Sequence, residues 1–91
     1  MALETIGRQR ENSMYEAVKN RILELCEEKR YTIYKLAMES GVAPSTIKNI
    51  LYGKSRNPGI VTLKMLCDGF DIGIHDFFDT PVFRELGQEI I

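Results

Sequence analysis

At 91 residues, with 44% hydrophobic and 27% charged composition, the chain can bury one small core and leaves no room for a large catalytic cleft. No apolar run approaches the roughly eighteen residues of a membrane helix, and MALETIGRQRENS has acids and polar residues where a signal peptide needs an apolar stretch, so the chain reads as cytoplasmic with no membrane partner. The formal net charge of −1 hides a segregated pattern: seven cations and seven acids before residue 40, then Lys48, Lys54, Arg56 and Lys64 with no acid through residue 67, then Arg84 against six acids. An acid-free positive block inside an otherwise neutral or acidic chain suits a phosphate-facing surface better than it serves general solubility.

Residues 1–12 show no apolar period and are expected to form a mobile arm whose cations are Arg8 and Arg10. Ser13 followed by Glu16 has capping-box spacing, and Val18, Ile22 and Leu25 then recur at helical intervals, which predicts a first helix over Met14 to Lys29. Thr32 is the expected N-cap of a second helix in which Ile33, Leu36 and Ala37 face inward and Gly41 supplies the left-handed stop. Lys35 stands where a capping box would want Glu, so the positive end of this helix dipole is open to an outside anion. Pro44 is tolerated at the first position of a third helix running to about Tyr52, with Ile47, Ile50 and Leu51 available to the core and Gly53 after its end.

The loop KSRNPG leads to a fourth helix, IVTLKMLCDGF, in which Ile60 or Val61, Leu63, Leu66, Cys67 and Phe70 repeat at helical spacing. A short fifth helix, IHDFFD, is expected to pack Ile74, Phe77 and Phe78. Beyond Pro81, Val82 or Phe83, Leu86 and Ile90 lie three to four residues apart. Two destinations are open to that stripe, the domain's own surface or a second subunit or partner. The expected organisation is therefore an arm (1–12), an all-helical domain (13–79) and a tail (80–91) in which Phe83, Leu86 and Ile90 are the candidate dimer or partner contacts.

Chemistry is absent where an enzyme would need it: no nucleophile with a base, no paired carboxylates around a cleft and no phosphate-cradling glycine loop can be named. Cys26 and Cys67 have no CxxC spacing and His75 is the one histidine, so a four-ligand zinc site would have to recruit carboxylates. Both thiols fall on apolar helix faces and are expected to be reduced and buried, and neither a metal nor a cofactor is expected.

The informative unit is Leu36-Ala37, then Gly41, Val42, Ile47 and Ile50. A small residue permits close helix approach, a glycine turns the chain, and branched residues pin the next helix across the first, which is how a helix-turn-helix is built. The stretches TIYKLAMESGVAPSTIKNILYGK, TLKMLCDGFDI, the NP loop and the closing DFF resemble the phage-repressor/Cro (Xre-like) family of helix-turn-helix DNA-binding domains, over about Tyr15 to Asp79. The resemblance implies a compact five-helix, lambda-repressor-like domain that binds double-stranded DNA, usually as a homodimer on a palindromic operator.

Carried across residue by residue, the resemblance puts the start of the base-reading helix at Ala43 to Thr46, with Ser45, Thr46, Lys48 and Asn49 on its exposed face. Asn can contact adenine in two places, Ser can donate or accept at several base edges, and the Thr46 methyl can meet a thymine methyl; Lys48 can reach guanine or a phosphate. The phosphate clamp would come from Thr32, Tyr34 and Lys35 at the second helix start and from Tyr52, Lys54, Arg56 and Asn57 after the third. The sequence departs from the family habit at Ile33, where Gln is common, and at Pro44, where a polar residue is common, so two habitual contacts are missing.

The leading expectation is thus a sequence-specific, repressor-like transcriptional regulator. The alternative is a protein-interaction module or antitoxin component that uses the same fold with a protein partner, motivated by the acidic residues 68–91 and the apolar tail. No separate ligand-sensing domain is expected after residue 79.

Overall fold

The computed structural model of the chain describes residues 13–88. The arm expected at 1–12 and the tail residue Ile90 lie outside the described residues. Within them are six helices, α1 (Met14–Lys29), α2 (Ile33–Ser40), α3 (Pro44–Leu51), α4 (Ile60–Gly69), α5 (Ile74–Phe78) and α6 (Pro81–Arg84), and no strand. The first three match the expected starts, and the sixth is a single turn in the segment read as a tail.

Local chemistry explains the boundaries. Ser13 Oγ accepts the Glu16 N–H at 3.2 Å and Thr32 Oγ1 accepts the Lys35 N–H at 3.0 Å, so α1 and α2 each begin on a side-chain cap. Glu16 pairs with Lys19 at 3.0 Å. α3 has no side-chain cap; Ala43 precedes Pro44, whose missing N–H needs no partner there. Gly41 ends α2 at φ 77°, a left-handed conformation that lets the chain reverse into α3 within three residues.

The core is one cluster built around Ile22, Leu36, Ile47, Ile50, Leu66, Cys67, Phe70 and Phe77, contributed by α1 through α5 and the turn at Phe70. α4 closes on α2 at a place that composition does not advertise: a Cβ on Gly69 would fall 2.7 Å from Ser40 Cβ and 2.9 Å from the Ser40 backbone nitrogen. Only a glycine fits that contact. At the far end, Phe77, Phe78 and Phe83 form an aromatic group, with Phe78 edge-on to Phe77 and to Phe83, the ring centroids 4.9 Å apart in each case.

Three residues expected at the core are corrected. Ile60 and Val61 are 81% and 70% exposed, because the buried stripe of α4 starts one turn later at Leu63 and the first turn projects from the solvent-facing loop. Ile74 is 40% exposed, since five residues of α5 turn only one face inward and Phe77 fills it. Cys67 is fully buried as expected, whereas Cys26 is only half-buried; both are free, and burial pushes both above the usual thiol value.

Candidate nucleic-acid interface

α3 divides along its length. Ile47 and Ile50, each 1% exposed, bury one side, while Ser45, Thr46 and Asn49 stand exposed on the other. Ser45 and Asn49 are four residues apart and so share a face. The division follows from the order of apolar and small polar residues in PSTIKNIL, and the absence of any acid in α3 leaves the outer side free of negative charge.

Lys48 sits at the junction of α2 and α3. Its Nζ donates to the Tyr34 hydroxyl at 3.0 Å and lies 5.0 Å from the centre of that ring. The contact spans fourteen residues and joins a residue expected to read bases to one expected to hold phosphate. The hydrogen bond and the lysine charge hold the Tyr34 hydroxyl below its usual value, and the same bond holds Lys48 above its own. Thr32 and Lys35 are exposed beside Tyr34, and Lys35 also reaches Glu39 at 3.0 Å, which raises its pKa.

Past α3, the loop folds back on the helix end. The Ser55 N–H donates to the Asn49 carbonyl at 2.9 Å, and Tyr52, Lys54, Arg56 and Asn57 are all exposed. The Arg56 guanidinium lies 4.4 Å from the centre of the Tyr15 ring, and the Tyr15 hydroxyl donates to the Ile50 carbonyl at 2.6 Å. Sequence reasoning counted Tyr15 as one more residue of α1. Its place three residues before Val18, on the buried stripe, was the available signal, but nothing in the sequence links it to residues 50 and 56.

Lys64, the fourth cation of the acid-free block, stands apart from the other three. It pairs with Asp68 at 2.5 Å, one turn along α4, so its charge is offset by the acidic segment that follows. The tail residues lie elsewhere. Phe83 is half-buried against Phe77 and Phe78 of its own chain, Leu86 is half-buried and Val82 is 41% exposed. Among the described residues no group of His, Cys, Asp or Glu could hold a metal ion, and no helix is long and apolar enough to cross a membrane.

Two short helices joined by a left-handed glycine, the second polar on its outer face and seated by branched residues, define a helix-turn-helix domain. Residues 21–81 match the Cro/C1-type HTH DNA-binding domain, and the chain belongs to that family. The crystal structure of the prophage Lp1 protein 11 is similar at 33% identity, with a TM-score of 0.70, over 80% of this chain and 96% of that one. No curated protein matches the chain. The protein is thus a helix-turn-helix protein of the Cro/C1-type DNA-binding class, with the all-helical fold that its sequence resemblance implied.

Proposed function

We propose that this protein is a sequence-specific transcriptional regulator that lays α3 in the major groove. Ser45, Thr46, Lys48 and Asn49 contact base edges, while Thr32, Tyr34, Lys35, Tyr52, Lys54, Arg56 and Asn57 hold the flanking phosphates. The observation that carries this reading is the division of α3: its inner side is fully committed to the core and its outer side is small, polar and exposed, flanked by the cations of the following loop.

The DNA-binding unit is residues 13–79, close to the family match at 21–81, and the tail from residue 80 lies outside the reading surface. The working form is a homodimer on a palindromic operator, with Leu86 and Ile90 contributing to the contact between copies. Phe83 contributes indirectly, since its ring is already packed against Phe77 and Phe78.

Selection of bound duplexes from a random DNA pool at near-physiological salt tests the proposal. The expected product is an inverted repeat with half-site centres about 10 bp apart. A folded protein that enriches no sequence contradicts it. That outcome would favour the same fold acting on a protein partner, as an interaction module or antitoxin component, for which the exposed Ile60 and Val61 are the supporting observation.

A further inference from the structure

We infer that Tyr15 is a positioning residue for DNA binding: from α1 it fixes the end of α3 through its hydroxyl and seats Arg56 on its ring for a phosphate contact. This rests on the reading of Arg56 as a phosphate ligand. Tyr15 lies ahead of the family-matched residues 21–81, and nothing in that match assigns it a role.

Tyr15 is 8% exposed, and its hydroxyl, 2.6 Å from the Ile50 carbonyl, adds a side-chain donor to one of the last carbonyls of α3, which also accepts the Gly53 N–H at 3.4 Å. The bond crosses thirty-five residues of sequence and ties the start of α1 to the end of the base-reading helix. The ring has a second use. Arg56 is exposed, yet its guanidinium rests 4.4 Å from the ring centre, within the range of a cation held by an aromatic face. Gly53 turns the chain beside both groups at φ 86°, a left-handed conformation that favours glycine, and a Cβ there would make only ordinary contacts, 3.7 Å from the Tyr15 hydroxyl and 3.8 Å from Arg56 Nη1.

An arginine on a flexible loop normally loses rotamer freedom when it meets phosphate, and that loss lowers affinity. Seated on Tyr15 beforehand, Arg56 keeps its charge and planar donors at the DNA side while most of the ordering has already occurred. One buried tyrosine therefore couples the register of the reading helix to the placement of a clamp cation.

The test compares the salt dependence of affinity for the selected duplex. Arg56→Ala is expected to reduce the log–log slope by about 0.9, the loss of one phosphate contact. Tyr15→Leu is expected to give the same reduction, the double variant no more than either single one, and Tyr15→Phe, which keeps the ring, to recover the slope that Tyr15→Leu loses. A folded Tyr15→Leu protein with the wild-type slope, or full additivity in the double variant, overturns the inference while the DNA-binding reading stands. A wild-type protein with no salt-dependent binding overturns both. Should Tyr15→Leu fail to fold, the free wild-type protein decides by NMR: ring-shifted upfield δ and ε protons of Arg56 support the seat, and random-coil positions overturn it.

Discussion

α1 grips two other helices in the same way and to different ends. Near its start, Tyr15 donates a neutral hydroxyl to the Ile50 carbonyl at the end of α3; one and a half turns later, Arg21 donates from Nε to the Phe77 carbonyl at 2.8 Å and from Nη2 to the Asp76 carbonyl at 2.9 Å in α5. In the first region a neutral donor ties the helix down and a separate cation, Arg56, remains exposed above the ring. In the second the cation itself is the tie, and it is further engaged by Glu24 at 2.5 Å. The contrast teaches that positive charge alone does not mark a binding surface. What matters is whether the donors are already occupied by the protein's own carbonyls.

Disrupting the aromatic end should produce the largest effect. Phe77 is fully buried, and Phe77→Ala is expected to lower unfolding free energy by about 3–5 kcal/mol in a chemical denaturation series. A small domain can have little more than that in total. Arg21→Ala removes two hydrogen bonds from a charged donor, taking the Arg21 partner from the Phe77 carbonyl while the Asp76 carbonyl keeps the Asp79 N–H, with an expected loss of about 2 kcal/mol. The same variant is expected to leave the salt slope of DNA binding at the wild-type value, whereas Lys54→Ala should lower that slope by about 0.9 with little effect on stability. Equal effects of Arg21→Ala and Lys54→Ala on both readouts would erase the distinction between the two regions.

Smaller changes sharpen it. Asn49→Ala is expected to reduce discrimination at one base pair by about 1–3 kcal/mol, measured as the ratio of affinities for the selected duplex and a single-substituted one. Equal losses on both duplexes would remove Asn49 from base reading. pH should matter least. Tyr34 holds Lys48 above the ordinary lysine value of 10.5, so its charge persists as pH rises and is lost only above that value. The sole histidine, His75, lies in α5 outside the assigned contacts. Binding measured from about pH 6 to 8, short of the range toward which the lowered Tyr34 hydroxyl moves, is therefore expected to be flat.

The helices were legible because their signals are local. Ser13, Thr32 and Pro44 mark starts within a few residues of the apolar stripes they introduce, and Gly41 marks the turn. The positions read wrongly, Ile60, Val61 and Ile74, obey helical spacing but sit in a first turn ahead of the core stripe or on the outer side of a one-turn helix. Spacing cannot say where a neighbouring element stops covering a face. Gly69 against Ser40, Tyr15 with Ile50 and Arg56, and Lys48 with Tyr34 stayed hidden for the same reason: each joins residues distant in sequence, and none has a period. The outward face of α3 was legible, since a helix with two buried branched residues must turn Ser45 and Asn49 away from them. The charge pattern was half legible. It located Lys54 and Arg56, but it counted Lys64, which Asp68 offsets from beyond the block's edge.

In the proposed reading, α3 and its flanks form the surface that meets DNA. Backbone amide NMR during titration with the selected duplex tests it most directly. The largest shifts are expected at residues 32–35, 43, 45–49 and 54–57, with α5 and α6 nearly unmoved. Shifts concentrated on α5 and α6, with residues 43 and 45–49 unchanged, would contradict it.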